Sequence, residues 1–289
     1  MIADRIAGAP ISWGVCEVPG WGYQLEPARV LAEMRDAGLR ATEFGPDDFL
    51  PRDPAEKSSV LASYGLKAVG GFVPAVLHDP ARDPAPEVDR ALDGFVAAGA
   101  GVLVLAAVTG VEGYDERPAL DDRAWNVLFS NVDRLAERAN ARGVLLTLHP
   151  HVGTVVERED EVRRVLEGSQ VPLCVDTGHL LIGGTDPLAL VRAVPTRIRH
   201  LHLKDVDLVW ANRVRTGAVA YTAAVRAGMY RPLGQGDVDV AAIVSTLEGA
   251  GYEGWYVMEQ DTILERAPEG VGPVADVFAS VAYLRGLGG

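Results

Sequence analysis

Short apolar runs alternate with longer segments of helical periodicity along this chain. Eight runs, rich in aliphatic residues, are predicted to be strands: residues 5–13, 41–45, 67–73, 101–107, 144–149, 171–176, 198–204 and 255–259. Between residues 122 and 142 apolar side chains recur at three- and four-residue intervals, which predicts an amphipathic helix. The regular alternation of strand and helix predicts an α/β fold with a parallel sheet.

Glycine marks the end of several predicted helices. Gly38, Gly65, Gly99, Gly143 and Gly251 each precede a predicted strand, where a left-handed glycine ends a helix without a Cβ penalty. Eight β/α units with these ends favour a closed (β/α)8 TIM barrel over an open doubly wound sheet. No Gly-x-Gly-x-x-Gly follows the first strand, which weakens a dinucleotide-binding alternative. We therefore expect a single TIM-barrel domain over residues 1–289.

Four side chains that can bind a metal stand at the carboxyl ends of the last four predicted strands. They are His149, Asp176, His202 and Glu259. The spacing between the first three is that of one strand, one helix and two loops, so we expect all four at the rim where barrel enzymes have their active sites. Strand alternation lets all four point inward without a change of register. Two imidazoles and two carboxylates favour Mn²⁺ or Co²⁺, with Zn²⁺, Fe²⁺ or Mg²⁺ as alternatives.

Lys204 is a candidate acid or base. It follows His202 by two residues on the seventh strand, so it is expected to point into the same cavity. Burial there is expected to depress its pKa. The alternative is a purely structural lysine that pairs with Glu43 or Asp205.

Three more residues are candidates for proton transfer. His151 lies one strand step beyond His149, and His179 follows the sixth strand in Asp-Thr-Gly-His. Glu43 ends the second strand and is a candidate for binding a hydroxyl or donating a proton.

The connection between the seventh and eighth strands is longer than a β/α unit needs. Its extra residues, around 206–236, favour a lid or a substrate wall, with a surface excursion as the alternative. Arg213 and Tyr230 in this segment, and Asp205 just before it, are candidates for substrate binding. Trp13 offers an apolar face to a sugar-like ring, and a place in the core is an equally good interpretation.

Composition narrows the classes of partner. The chain has 289 residues, 48% of them hydrophobic, and a formal net charge of −13. An acidic surface repels phosphate backbones and anionic membranes, so we expect neither nucleic acid nor a membrane as a partner. A homo-oligomer is compatible with the sequence.

The cysteines and the N-terminus indicate a compartment. Cys16 and Cys174 lie far apart without metal-site or redox spacing, which is typical of a reduced protein. The first residues contain no apolar signal core. A cytoplasmic protein is therefore expected.

Several motifs resemble the xylose isomerase-like barrel family of sugar isomerases, epimerases and related lyases. They are Thr-Glu-Phe-Gly at 42–45, Val-Asp-Thr-Gly-His at 175–179, His-Leu-His-Leu-Lys-Asp at 200–205, Pro-Leu-Gly-Gln-Gly-Asp-Val-Asp at 232–239 and Met-Glu-Gln-Asp at 258–261. The resemblance spans nearly the whole chain and implies a divalent metal at the ends of strands five to eight. That metal site carries over to the four residues proposed above.

The fifth strand departs from the sugar epimerases of that family. Those enzymes usually have a glutamate where this chain has His149, so a two-glutamate epimerase mechanism is not expected. The segment His-Pro-His-Val-Gly-Thr-Val-Val at 149–156 resembles instead the inosose dehydratase branch. That resemblance implies a metal-dependent lyase of a cyclic polyhydroxy ketone, such as 2-keto-myo-inositol, which acts through an enolate.

Three rival functions follow from the same residues. A sugar isomerase or epimerase would act on a ketose or cyclitol through a related enediol. A DNA-repair endonuclease of the family would need more metal ligands and a basic groove, and six histidines with a charge of −13 argue against it. A sugar- or cyclitol-binding protein without catalysis is the last alternative.

Overall fold

A ring of eight parallel strands forms the centre of the molecule. The computed structural model describes residues 2–288. Each strand pairs in parallel with its neighbours in chain order, and the eighth pairs with the first. The strands are β1 (Ile6–Gly8), β2 (Ala41–Thr42), β3 (Lys67–Ala68 and Gly70–Ala75), β4 (Val102–Ala107), β5 (Leu145–Leu148), β6 (Leu173–Asp176), β7 (Ile198–Leu203) and β8 (Tyr256–Met258).

The ring closes at Val69, between the two segments of β3. The Val69 amide donates to the Thr42 carbonyl at 3.0 Å, and its own carbonyl accepts from the Val102 amide at 3.2 Å. A Cβ on the adjacent Gly70 would lie 1.9 Å from the Val102 carbonyl oxygen, so this close approach requires glycine. Because the third strand is bonded on both sides, the predicted (β/α)8 TIM barrel is confirmed.

Amphipathic helices surround the ring. Leu128, Val132 and Leu135 of the fourth helix are fully buried in the main hydrophobic core, as the apolar stripe predicts. The five predicted helix-ending glycines all have a left-handed φ, between 73° and 79°. The helices are α1 (Pro27–Asp36), α2 (Pro54–Ser63), α3 (Ala85–Ala98), α4 (Asp122–Asn140), α5 (Glu159–Gly168), α6 (Thr177–Gly183), α7 (Pro187–Ala193), α8 (Leu208–Arg215), α9 (Tyr221–Arg226), α10 (Val240–Gly249) and α11 (Val274–Gly286).

Small side chains form a separate buried cluster on the strands. Register places Ala7 of β1 beside Val257 of β8 and Ala41 of β2, and Val69 belongs to the same cluster. Because these side chains are small, they leave room inside the ring for the large polar side chains at the carboxyl ends of the strands.

The first strand is shorter than predicted. Residues 5–13 were expected to be extended, but β1 ends at Gly8 and a 3₁₀ helix follows over Pro10–Trp13. Pro10 has no N–H to give to a sheet, and Gly14 ends the turn with a φ of 81°. The predicted strands at 41–45 and 255–259 are also shortened, to Ala41–Thr42 and Tyr256–Met258.

The connection from β7 to β8 contains regular structure of its own. Asp205–Val206 and Tyr230–Arg231 form a short antiparallel ribbon, and α8 and α9 lie between its two strands. The ribbon and its two helices are called the β7–β8 excursion below. No helix within residues 2–288 has the length and apolar character needed to cross a membrane.

Candidate active site

The carboxyl ends of the strands open into a cavity of about 920 Å³. Phe72 and Tyr114 are among the aromatic residues of its walls. Polar groups converging in a cavity with apolar walls are typical of a site for a small polar molecule. The buried polar residues of the lining are Glu43, His149, His151, His202, Lys204, Glu259 and Asp261.

Three of the four predicted metal ligands converge directly. Asp176, His202 and Glu259 place one donor atom each within 4.8 Å of one another. His149 belongs to an adjacent group with Cys174 and His202, and the rings of the two histidines lie 4.9 Å apart.

The donor atoms at this point suit a divalent metal ion. Nδ1 of His149 and Nδ1 of His202 are buried and have no hydrogen-bond partner within residues 2–288. Buried nitrogen atoms of this kind normally have a partner. Two imidazoles beside two carboxylates are the ligands that divalent transition metals prefer, so the residues present fit such an ion.

Glu43 is hydrogen-bonded to His202, one of the four proposed metal ligands, on the side of the ring away from the other ligands. Its Oε1 accepts from Nε2 of His200 at 2.7 Å and from Nε2 of His202 at 2.9 Å. Burial alone would raise its pKa, but His202 and His200 hold the pKa of this carboxyl below its usual range. The prediction that Glu43 donates a proton therefore does not fit, because the group is ionised and its oxygen is occupied. The hydrogen bond from His202 to Glu43 instead orients the imidazole ring so that Nδ1 of His202 faces Asp176 and Glu259.

Lys204 is an ammonium group among carboxylates. Its Nζ lies 3.1 Å from Asp176 Oδ2, 3.0 Å from Glu259 Oε2 and 2.8 Å from Asp261 Oδ1. Burial would lower its pKa, but the three carboxylates hold the pKa well above the usual value. The expected depression of the Lys204 pKa is therefore wrong. The expected structural pairing with Glu43 or Asp205 is not the one observed either.

His151 is a neutral imidazole with a defined tautomer. Its Nδ1 lies 2.6 Å from the Val152 carbonyl oxygen, which can only accept, so Nδ1 carries the proton and Nε2 has the lone pair. Burial, together with the charge of Lys204, lowers the pKa of His151 to about 3. An imidazole in this state is neutral and keeps a lone pair on Nε2.

His149, His151 and His179 form a second group of nitrogen atoms within 4.8 Å of one another. Burial lowers the pKa of His149 and of His179 well below the usual value. Nε2 of His179 lies 2.9 Å from Lys204 Nζ, and the His151 and His179 rings are tilted by 40° with centroids 3.7 Å apart. The lone pair of His179 is thus already occupied by an ammonium, which makes this group a poor cation site.

A family model described as "Xylose isomerase-like TIM barrel" matches residues 31–280. The chain belongs to this family. A relative from Geobacillus thermodenitrificans named inosose dehydratase is 30% identical over 292 residues, which cover 97% of this chain and 96% of the relative. The rhizopine catabolism protein MocC of Rhizobium meliloti is 34% identical and covers 90% of this chain and 82% of its own length.

A solved structure of an IolI protein with a bound zinc atom has a similar fold. Its TM-score is 0.70 at 13% sequence identity, and the match covers 98% of this chain and 97% of that one. This xylose isomerase-like barrel therefore has the fold of a solved protein that binds zinc, and it is 30% identical in sequence to a relative named inosose dehydratase.

Two predicted substrate-binding residues lie outside the cavity of this family member. Trp13 is fully buried, and its Nε1 donates to Glu33 Oε2 on α1 at 2.8 Å, so it is a core residue. Arg213 lies exposed on α8, with its guanidinium 4.5 Å from the Trp210 ring centroid. Neither position fits contact with a substrate in the cavity.

Asp205 and Tyr230 are buried behind the cavity lining. The Asp205 carboxylate accepts hydrogen bonds from four backbone amides, those of Val206, Gly234, Gly236 and Val238. These bonds hold the backbone of residues 234–238 against the start of the β7–β8 excursion. The Tyr230 hydroxyl lies 3.0 Å from the Tyr221 hydroxyl and 3.5 Å from Nδ1 of His179. Both residues touch the protein's own groups, so a direct contact with substrate does not fit.

Three residues of the site were missed as candidates. Asp261 pairs with Lys204 and was identifiable by strand alternation, since it lies two residues beyond Glu259. Tyr221 donates to Asp261 Oδ2 at 2.5 Å, and the Tyr114 ring contacts the His151 ring at a tilt of 42° with centroids 4.6 Å apart. Both tyrosines come from long connections, where no periodicity indicates which side chains turn inward.

Proposed function

We propose that this protein is a divalent-metal-dependent dehydratase of a cyclic polyhydroxy ketone, of the kind exemplified by 2-keto-myo-inositol. The observation that carries the proposal is the pairing, in one cavity, of a neutral imidazole that can accept a proton and an ammonium that can donate one. The near full-length similarity to proteins named inosose dehydratase supports the class of substrate.

The metal is assigned to His149, Asp176, His202 and Glu259, with Mn²⁺ or Co²⁺ as the preferred ions and Zn²⁺, Fe²⁺ or Mg²⁺ as alternatives. A divalent cation at this position polarises a ketone and stabilises the negative charge of an enolate. The protein's own contribution is to hold the ring of the substrate between the donor set and the aromatic walls, of which Phe72 and Tyr114 are part.

His151 is proposed as the general base. Its Nε2 takes the proton from the carbon next to the ketone, and an enolate of the substrate results. Lys204 is proposed as the general acid. Its ammonium gives a proton to the β-hydroxyl as the C–O bond breaks, so water leaves and a carbon–carbon double bond forms.

The reaction balances without an oxidant or a reductant. One C–H bond and one C–OH bond of the substrate break, and the product is the enol of a diketone plus water. His151 ends with an extra proton and Lys204 with one fewer. Exchange with solvent restores both groups before the next turnover.

The test is product analysis on protein stripped with chelator and reloaded with Mn²⁺ or Co²⁺. With an inosose in D₂O we expect the substrate to lose one water by mass spectrometry and the carbon next to the ketone to exchange its proton by NMR. A product of unchanged mass with an inverted centre would identify the epimerase alternative. No exchange into any inosose or ketose would overturn the proposed function.

Two variants separate the acid from the base. In His151→Gln the rates of proton exchange and of dehydration are both expected to fall by about 10²–10⁴-fold. In Lys204→Met the rate of dehydration is expected to fall by about 10²–10⁴-fold, while some proton exchange is retained. Lys67→Met, at an exposed lysine outside the cavity lining, is the matched control and is expected to keep full activity. Normal dehydration by Lys204→Met would remove that lysine from the mechanism.

A further inference from the structure

Five buried side chains form a closed hydrogen-bonded ring behind the cavity. Lys204 Nζ contacts Asp261 Oδ1 at 2.8 Å and His179 Nε2 at 2.9 Å. Asp261 Oδ2 accepts from the Tyr221 hydroxyl at 2.5 Å, and the Tyr221 hydroxyl lies 3.0 Å from that of Tyr230. The ring closes between the Tyr230 hydroxyl and Nδ1 of His179 at 3.5 Å. The residues come from β6–α6, the end of β7, the β7–β8 excursion and the segment after β8.

The chemistry of two members fixes the direction of every bond in this ring. An ammonium can only donate, so Nε2 of His179 must accept from Lys204 and the ring proton of His179 must be on Nδ1. Nδ1–H then donates to the Tyr230 oxygen, which leaves the Tyr230 hydroxyl proton for the Tyr221 oxygen.

The direction of the hydrogen bond between Tyr221 and Asp261 is fixed by the carboxylate. An ionised carboxylate can only accept, so Tyr221 must donate to Asp261 Oδ2, as its geometry also requires. Two chains of donation therefore leave Lys204, one directly to Asp261 and one through His179, Tyr230 and Tyr221 to the same carboxylate. Bonds aligned in one direction polarise and strengthen one another.

We propose that Tyr221 and Tyr230 are positioning residues that act through this ring: they hold the Nδ1–H side of His179 and the Asp261 carboxylate in place, and so fix where the Lys204 ammonium stands in the cavity. Neither tyrosine is among the residues that line the cavity, so neither is a catalytic residue. The inference rests on the proposed function for the role of Lys204 as an acid. Its structural part, the tautomer of His179, is independent of that function.

The β7–β8 excursion supplies two of the five side chains of the ring, Tyr221 and Tyr230. Tyr221 begins α9 and Tyr230 lies on the short ribbon, so both hydroxyls depend on the folding of this segment. Replacement of either tyrosine by phenylalanine keeps the apolar ring and removes only the hydroxyl, which leaves a buried partner without its bond.

The first experiment measures activity of Tyr221→Phe, Tyr230→Phe and the double variant in the metal-loaded enzyme. We expect kcat to fall by about 10-fold or more in each single variant, with KM and metal content unchanged, as suits the loss of a hydrogen bond within a charged network. The double variant is expected to fall no further than the single variants, because either substitution already opens the ring. Tyr252→Phe is the matched control, since its buried hydroxyl donates to the Trp255 carbonyl outside this ring.

The second experiment reads the tautomer directly by ¹⁵N NMR. The chain has six histidines, so histidine-selective ¹⁵N labelling of the zinc-loaded protein gives few signals, and His179→Gln identifies the one required. We expect His179 to be a pure Nδ1–H tautomer both in the wild type and in Tyr230→Phe, because Lys204 still donates to its Nε2. The signal of the protonated Nδ1 is expected to shift in Tyr230→Phe, since its N–H loses the Tyr230 oxygen. An Nδ1 signal that stays in place in Tyr230→Phe would count against the ring. A protonated or Nε2–H His179 in the wild type, or additive losses of kcat in the double variant, would overturn the inference. Absence of dehydration in the wild type would overturn the proposed function and leave the NMR result standing.

Discussion

Two imidazole N–H groups share a single carboxylate oxygen at the base of the cavity. Because Oε1 of Glu43 accepts from both His200 and His202, the N–H of His202 is fixed on Nε2 and its Nδ1 is turned toward the carboxylates of the donor set. A carboxylate behind a metal-binding imidazole orients the ring and makes its other nitrogen a better ligand. Glu43 is therefore expected to matter for metal affinity more than for proton transfer.

Glu43→Gln tests this role. The amide keeps the size of the side chain and removes the charge that holds both imidazole protons, so we expect the affinity for Mn²⁺ to fall by about 10–100-fold. Isothermal titration of metal into the stripped protein measures the effect. Activity at saturating metal is expected to recover largely.

The control for this variant is Glu137→Gln, an exposed position on α4. It is expected to bind metal as the wild type does. Wild-type metal affinity in Glu43→Gln, together with a loss of kcat that extra metal cannot restore, would return Glu43 to a role in proton transfer.

Residue identities at strand ends could be predicted because alternation is a local rule. Asp176, His202, Lys204 and Glu259 follow from counting along strands, and the structure brings them together. The protonation state of Lys204 could not be predicted in this way. It depends on three carboxylates from other elements, and Asp261 among them was not recognised as a partner.

At the scale of elements, α9 is held at its N-terminus by a residue from another loop. The helix has no side-chain cap of its own at Ala220. Instead Asp115, in the connection between β4 and α4, accepts from the Thr222 amide at 3.2 Å and from its hydroxyl at 2.7 Å. A carboxylate at this end of a helix satisfies a free N–H and interacts favourably with the helix dipole. The β4–α4 connection thus supports the helix that presents Tyr221.

Asp115→Ala is expected to loosen the start of α9 and with it the hydroxyl of Tyr221. Loss of a cap costs about 0.5–2 kcal/mol, and here the cost should be local to α9. Hydrogen exchange followed by mass spectrometry is expected to show faster exchange over residues 221–226, and kcat should fall in the same direction as in Tyr221→Phe. The neighbouring exposed acid offers a control in Glu116→Ala, for which unchanged exchange is expected. Equal exchange in both variants would show that Asp115 does not support this helix.

Elements with strong periodicity could be predicted, and elements set by distant contacts could not. The apolar stripe of α4 predicted the bounds of that helix to within a few residues, and the glycines predicted where several helices end. Strand β1 was predicted too long because an apolar run continues past Gly8, where Pro10 turns the backbone out of the sheet. The inner face of the β7–β8 excursion depends on Asp261, which lies after β8 and outside the segment, so no local pattern indicates it.

At the scale of the whole molecule, the barrel buries several carboxylates at one end. Asp176, Glu259 and Asp261 are all less than a tenth exposed and all face Lys204. Burial raises the pKa of Asp176 and of Glu259, which is the direction expected for carboxylates that are costly to ionise in this place. A divalent cation would relieve this cost at the ends of β6 and β8, the two strands that flank β7.

Metal removal is therefore expected to lower the stability of the whole barrel. Ligand that binds only the folded state stabilises it by mass action, by about 4 kcal/mol when its concentration is a thousandfold above Kd. We expect the melting temperature of chelator-treated protein to rise on addition of Mn²⁺ and to keep rising with concentration above saturation. Calorimetry of stripped and reloaded protein measures this shift.

The variant Glu259→Gln distinguishes binding at the proposed site from general binding to an acidic protein. With a net charge of −13, exposed carboxylates attract cations weakly at many places, and that effect is screened by salt. Binding within the buried donor set is expected to persist at high salt and to disappear in Glu259→Gln, so that the variant melts at the same temperature with and without Mn²⁺. A Mn²⁺-dependent shift of equal size in Glu259→Gln would place the stabilising ion elsewhere. It would also remove the link between the four strand-end residues and one metal ion, on which the proposed reaction depends.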